Sequence, residues 1–426
     1  MKKSVIAVCY ILIAFQASAQ KIYIHCGKLI DGKTAVPRTE VTILIDGRHI
    51  IGIQNGYVKG GTNDQVIDLK NKTVLPGLID CHVHLESQYG RSAQMDEFTQ
   101  TDADIAFHSA VYARTTLMAG FTTVRDCGGS GVNISLRKAI ERGLTPGPDM
   151  LTAGRAISAS GGHMDNSNGL RDEIYGKPLG PVDGIADGKD ELIKAVRLQF
   201  KRGSDFIKIA STGGVLDLSK DGSGAQFSIE EIKAVVETAK DYGMAVACHA
   251  HGAEGIKRAI LGGVTSIEHG TFMNEEDMAL MKKYGTYYVP TIIAGKSVAD
   301  SAKIMGFFPK VIADKAMQVG PQIQTTFGKA YKAGVKIAFG TDAGVYAHGK
   351  NAKEFQYMVE AGMPAMEAIK SATVSAADLL GVSKEKGSIE AGKQADIIAV
   401  EGDPSQDISI LMQVGFVMKA GKVYKQ

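Results

Sequence analysis

The chain of 426 residues has only five cysteines and almost no surplus of charge, with 48 basic and 46 acidic residues giving a formal net of +2. So even a balance excludes the basic face that nucleic acid or an anionic membrane surface would require. So few cysteines exclude a disulfide-built scaffold, because a chain of this length buries a core that needs no staple. The N-terminal apolar run, Val5 to Phe15, is too short to span a bilayer as a stable anchor. No internal repeat or low-complexity tract stands out. What is abundant is glycine, 50 residues, which suits a fold with many tight strand-to-helix connections. The hydrophobic share of 44% and charged share of 22% are ordinary for a soluble globular enzyme.

Residues 1–19 read as a signal peptide. Lys2 and Lys3 precede the apolar run, and Ala17-Ser18-Ala19 before Gln20 offers a small-x-small cleavage site. Cys9 follows Val8 rather than a small residue, which argues against a lipoprotein. The expectation is cleavage after Ala19 and export, to a bacterial periplasm, with no membrane anchor left and 46 charges of each sign. Cys26, Cys81, Cys127 and Cys248 then remain, expected as free buried thiols, with a Cys81–Cys127 pairing left open.

From residue 20 to 73 the chain alternates polar and apolar residues around Asp31-Gly32-Lys33 and Asp46-Gly47-Arg48, which predicts small antiparallel hairpins. A matching pattern returns over residues 386–426. The two segments together predict one small β-sandwich domain built from both chain ends. Between them, residues 74–385 alternate short apolar strands with helical stretches, the pattern of a parallel sheet with crossover helices. Eight strands are expected: Val74–Ile79, Thr122–Arg125, Met150–Ala153, Phe206–Ile209, Ala245–Cys248, Ser266–Glu268, Tyr287–Val289 and Lys336–Gly340. Eight such units in about 310 residues fit an α/β (β/α)8 TIM barrel. No Gly-x-Gly-x-x-Gly follows the first strand to favour an open doubly wound sheet. The loops Gly161–Gly188 and Gly213–Gln226 follow strands on the face where a barrel keeps its active site, and are expected to be the mobile ones.

Chemistry-bearing residues gather at these strand ends. His82 and His84, spaced i, i+2, share a face of an extended strand and make a half-site for a metal such as zinc. Lys208 lies inside Asp205-Phe206-Ile207-Lys208-Ile209, and His249, His269 and Asp342 close the fifth, sixth and eighth strands. Six such residues on one face are hard to explain as packing.

The motifs Gly-Gly-His (161–163), Asp-Phe-Ile-Lys-Ile (205–209), His-Ala-His-Gly (249–252), Ile-Glu-His-Gly (267–270) and Gly-Thr-Asp-Ala-Gly (340–344) run in this order. They resemble the binuclear-metal amidohydrolases, specifically the group with prolidase (Xaa-Pro dipeptidase), carboxypeptidase-like and ochratoxin-hydrolysing amidase members. The resemblance covers essentially the whole mature chain. It implies that His82, His84 and Asp342 hold one Zn2+, that His249 and His269 hold a second, and that a carboxylated Lys208 bridges both. A lysine inside an apolar strand is costly to keep charged, and a neutral amine can add carbon dioxide. His249 is preferred over His251 as ligand, with His251 left near the substrate.

The implied reaction is attack of a metal-bridging hydroxide on an amide carbonyl, with Asp342 shuttling the proton to the leaving nitrogen. His163 is a candidate oxyanion donor. Tyr288 is a candidate for the oxyanion or the substrate carboxylate, and Arg155 and His348 are further substrate-site candidates. His25, His49 and His108 are expected to be structural or surface residues. The expected substrate is a dipeptide or an N-acyl amino acid, including ochratoxin-like amides, cut at the bond to its C-terminal amino acid. A cyclic-amide hydrolase similar to imidazolonepropionase, and a non-catalytic barrel binding protein, are the other readings. The sequence leaves the native metal, the side-chain preference and homo-oligomerisation open.

Overall fold

The computed structural model describes residues 20–90, 92–218 and 222–426, so the expected signal segment lies outside the described residues. Among the described residues four strands open the chain: β1 (Ile22–Leu29), β2 (Arg38–Asp46), β3 (His49–Asn55) and β4 (Gln65–Pro76). Seven follow: β5 (Leu78–Val83), β6 (Phe121–Asp126), β7 (Asp149–Thr152), β8 (Ile207–Ala210), β9 (Val246–Ala250), β10 (Ser266–His269) and β11 (Tyr287–Val289). Three close it: β12 (Ile397–Glu401), β13 (Phe416–Lys419) and β14 (Lys422–Lys425).

The first four and last three strands form one mixed sheet of order β14-β13-β12-β4-β1-β2-β3. The chain ends meet where β12 runs antiparallel to β4, Ile397 opposite Pro76. Strand periodicity then divides the side chains between two cores. Ile397 and Ala399 of β12, Val74 of β4, and Phe416 and Met418 of β13 enter the core of this sheet. Their neighbours Ile398, Val400, Leu75 and Val417 enter the large core of the α/β part. These strands are buried on both faces, which is why they read as unbroken apolar runs.

The remaining strands are parallel and form two sheets, β5-β6-β7 and β11-β10-β9-β8. At one seam Ile157 bridges Ile209, its N–H donating to the Lys208 carbonyl at 2.8 Å. At the other, the segment 336–343 lies between β11 and β5. Ala338 donates to the Tyr288 carbonyl at 3.0 Å, and Cys81 donates to the Phe339 carbonyl at 2.9 Å. The expected eighth strand, Lys336–Gly340, is therefore extended chain with isolated bridges. Its bonds alternate between two neighbours and are too few on either side to make a ladder.

The expected first strand, Val74–Ile79, is two strands in different sheets, divided at Gly77. Gly77 donates to the Asp396 carbonyl at 2.8 Å. A Cβ there would lie 2.2 Å from Thr122 Oγ1, so only glycine lets the chain change sheets at this point.

The helix Ile229–Asp241 starts at the Ser228/Glu231 capping box that its sequence announces, and Thr101/Asp104 and Asn274/Asp277 cap two others in the same way. A buried charge cluster ties the mixed sheet to the α/β part. Lys386 Nζ reaches Asp149 and Asp396, each at 2.7 Å, and Lys419 Nζ reaches Asp149 at 2.8 Å. Cys26, Cys81, Cys127 and Cys248 are all free and buried. Cys127 Sγ faces the Cys81 carbonyl, 3.7 Å away, rather than its sulfur. No helix among the described residues is long and apolar enough to cross a membrane.

Candidate active site

The carboxyl ends of the parallel strands meet around one cavity of about 160 Å³, lined by His82, His84, His163, His249, His251, His269 and Asp342 on its polar side. Three of these converge most tightly, with ligand atoms of His82, His84 and Asp342 all within 4.8 Å of one another. Asp342 Oδ1 stands 3.5 Å from His82 Nε2 and 3.3 Å from His84 Nε2. It is a buried oxygen without a hydrogen-bond partner. An orphaned acceptor facing two ring nitrogens fits a cation between them.

Hydrogen bonds orient each of the histidines. His84 Nδ1 donates to the Gly128 carbonyl at 2.7 Å, which turns its Nε2 toward Asp342. Burial works to lower this ring, yet the Asp342 carboxylate outweighs it and raises it above the ordinary imidazole value. His82 Nδ1 lies 2.8 Å from Glu268 Oε2. His269 Nδ1 is bonded to Thr291 Oγ1 at 2.7 Å, and His251 Nδ1 to Thr271 Oγ1 at 2.8 Å. His249 differs, since its Nε2 donates to the Gly213 carbonyl at 3.1 Å and leaves Nδ1 as the free nitrogen.

Burial, with the Lys208 charge beside it, pushes His82 down to about 4. Burial and the neighbouring His163 push His251 down to about 3, and burial among other imidazoles holds His249 and His269 well below the ordinary value. These rings are neutral at pH 7, the form that ligates metals. Burial works to raise Asp342, yet the His82 and His84 contacts outweigh it and hold its carboxyl below the usual range.

Lys208 on β8 is fully buried, with Nζ 3.4 Å from His82 Nε2. Among the described residues no carboxylate lies within ion-pair distance of it, so a plain buried ion pair does not account for the residue.

Backbone strain marks the same place. His269, Thr291 and Asp342 are non-glycine residues with φ of 70°, 51° and 60°. Such conformations cost about 1–2 kcal/mol each and persist where surroundings enforce them. Asp342 is enforced by its own N–H, which donates to the His82 carbonyl at 2.7 Å. Asp80 helps, since its carboxylate accepts from Thr341 Oγ1 at 2.6 Å and Asn351 Nδ2 at 2.8 Å.

Other candidates behave differently. His163 faces the cavity and stacks on His249, ring centroids 4.2 Å apart, with Nδ1 held by Asp217 Oδ2 at 2.6 Å. Tyr288 is fully buried and its hydroxyl donates to the His269 carbonyl at 2.9 Å, so it braces that strand end and is not part of the cavity lining. Arg155 lines two separate clefts outside this cavity. His348 Nε2 donates to the Ser87 carbonyl at 2.9 Å and its ring stacks on Tyr112, away from the cavity wall. His25 donates to the Val58 carbonyl, while His49 lies on β3 and His108 on the helix Asp102–Met118, all remote from it.

Two supporting groups escaped the sequence reading. Glu268 accepts from Arg125 Nη2 at 2.7 Å and from Ser266 Oγ at 2.5 Å while its other oxygen holds His82. Burial alone would raise Glu268, but Arg125 and His82 outweigh it and push its carboxyl down to about 2. An arginine inside a buried strand, Arg125 on β6, was the available signal. Asp217, which also holds Lys315 at 2.8 Å, sits in a loop without periodicity and gave none.

The description "Amidohydrolase family" matches residues 73–424. Ochratoxinase of Aspergillus niger is 32% identical over 97% of this chain and 89% of its own length. A solved structure of a Xaa-Pro dipeptidase with methionine bound in the active site is 52% identical, with a TM-score of 0.93 over 96% of this chain and 100% of that one. A prolidase solved with n-methylphosphonate-l-proline is 30% identical, with a TM-score of 0.86 over 96% and 100%. Matched over nearly its whole length and carrying the histidine, lysine and aspartate set at its strand ends, the chain belongs to the amidohydrolase family, in its Xaa-Pro dipeptidase and ochratoxinase-like group, and is a hydrolase of amide or peptide C–N bonds.

Proposed function

We propose that the protein is a binuclear zinc enzyme that cleaves the amide bond to a C-terminal amino acid, in a dipeptide or an N-acyl amino acid. The observation that carries this reading is the buried, unpartnered Asp342 Oδ1 beside the Nε2 atoms of His82 and His84. His82, His84 and Asp342 would hold one ion, and His249 and His269 the other, with carboxylated Lys208 between them. The ions, when bound, supply Lewis acidity at the carbonyl and make water acidic enough to be a nucleophile near neutral pH.

The chain's own groups do the rest. Asp342 accepts the proton of the attacking water and returns it to the leaving nitrogen, which an amine requires in order to depart. His163, fixed through Nδ1 by Asp217, presents Nε2 to the oxygen on which negative charge develops. The apolar residues lining the rest of the cavity, Val215, Val298, Val319 and Ile323 among them, keep bulk water from the reacting groups.

Relatives support the substrate class: one binds methionine in its active site and another binds n-methylphosphonate-l-proline. The reading carries with it a closed (β/α)8 barrel over residues 74–385, a β domain from 20–73 and 386–426, and export after cleavage of residues 1–19. The test is a screen of Xaa-Pro, Xaa-Lys/Arg and N-acyl-phenylalanine amides with zinc-reconstituted protein. Turnover of linear amides is expected, and activity on cyclic amides or esters alone would overturn the reading.

A further inference from the structure

The cavity is lopsided. Facing the imidazoles is an aliphatic wall made by Ala294, Gly295 and Val298 of the helix Ile292–Ala302 and by Val319 and Ile323 of the helix Lys310–Lys332, with Val215 from the loop after β8. These positions recur at i, i+1, i+4 and at i, i+4, so each helix turns one continuous stripe inward. The two helices are locked in close contact. A Cβ on Gly295 would lie 2.8 Å from Ile323 Cγ2, and one on Gly320 would lie 2.4 Å from the Ala299 Cβ. Among the described residues, Asp342 is the only carboxylate lining the cavity, and it is already committed to the histidines.

We infer that this wall is the specificity surface, and that it takes one compact aliphatic side chain of valine, proline, leucine or methionine size, flanking the scissile bond. This deepens the amide-hydrolase reading and rests on it. The cavity of about 160 Å³ must also hold the metal centre and the scissile bond, so the group against the wall is a compact one, an apolar cavity of about 150 Å³ taking one benzene-sized group by itself. A lysine or arginine side chain would meet no unengaged carboxylate among the described lining residues. Asp342 faces the histidines, and Asp217, behind His163, is paired with His163 and Lys315. Burial of an unpaired charge is penalised heavily. Fully burying one aliphatic side chain corresponds to an affinity gain of about ten- to a hundredfold.

The experiment compares zinc-reconstituted protein on Xaa-Ala and Ala-Xaa dipeptides, Xaa being Val, Leu, Met, Pro, Phe, Lys or Arg, with an ochratoxin-like amide alongside. Binding of free methionine, leucine, lysine and arginine is measured in parallel by calorimetry. The expected result is a kcat/KM and affinity preference of about tenfold or more for the compact aliphatic members. Ile323→Ala, which enlarges the wall, should move the preference toward phenylalanine at unchanged metal content. Equal or better use of lysine or arginine, or a wild-type preference for the ochratoxin-like amide, overturns the inference. So does a folded Ile323→Ala variant with an unchanged ranking, and if that variant fails to fold the wild-type panel decides alone. Aliphatic binding preference without hydrolysis of any amide would remove the amide-hydrolase reading and leave the wall's selectivity standing. Hydrolysis with a flat preference would do the reverse.

Discussion

At Asp342 three independent demands fall on one residue: a left-handed backbone, a buried carboxylate and a position between two imidazoles. Asparagine keeps the shape and tolerates the backbone, but it cannot take a proton. Asp342→Asn is therefore expected to retain metal while kcat falls by about 10²–10⁴-fold, the usual share of proton transfer. Metal analysis and kinetics on the same preparation check both halves. Glu268 acts one step behind, holding His82 by the nitrogen that faces away from Asp342. Glu268→Gln should weaken metal affinity by about 10–100-fold, as loss of such supporting carboxylates does, and competition with a chelator measures it. Strand-end residues were legible because position on a strand fixes direction. Tyr288 shows the limit, since facing inward is not the same as facing the cavity, and its hydroxyl goes to a carbonyl instead. Arg155 and His348 follow strands, in loops where no periodicity fixes a side chain's aim.

Among the elements, the junction at Gly77 and the charge cluster at Asp149 bear the most on how the mixed sheet seats the α/β part. Gly77→Ala drives a methyl into Thr122 and should cost about 1–3 kcal/mol, the range for overpacking a filled core, readable as a lower denaturant midpoint. Asp149 is held below the ordinary carboxylate value; burial opposes this, and Lys386 and Lys419 outweigh burial. Its contribution is thus complete above the ordinary value of 3.8 and is lost as pH falls below it. Lys386 is raised above 10.5 despite burial, by Asp396 and Asp149, so its share is present below that value and lost as pH rises past it. Asp149→Ala leaves Lys419 without an ion partner and Lys386 with Asp396 alone, and should cost about 3 kcal/mol at neutral pH. An Asp149→Asn variant should show a flatter acid limb in thermal melts between pH 3 and about 5. Periodicity exposed the strands and helices, but not the break at Gly77. That break is a matter of tertiary clearance, invisible in a run that reads Thr-Val-Leu-Pro-Gly-Leu-Ile.

For the molecule as a whole, the order of elements and the pairing of the two chain ends were legible, because alternation and apolar runs report burial directly. The size and chemistry of the cavity were not, since they depend on how the helices Ile292–Ala302 and Lys310–Lys332 pack against each other. The proposed activity depends on the strand-end residues acting together as a two-ion centre. The most direct measurement is zinc content per chain after reconstitution, for the wild type, Lys208→Ala, His249→Ala and His251→Ala. About two ions are expected in the wild type and in His251→Ala, and a loss of at least one in Lys208→Ala and His249→Ala. A wild type that binds no zinc, or a Lys208→Ala protein that keeps two ions with undiminished affinity, would contradict such a centre.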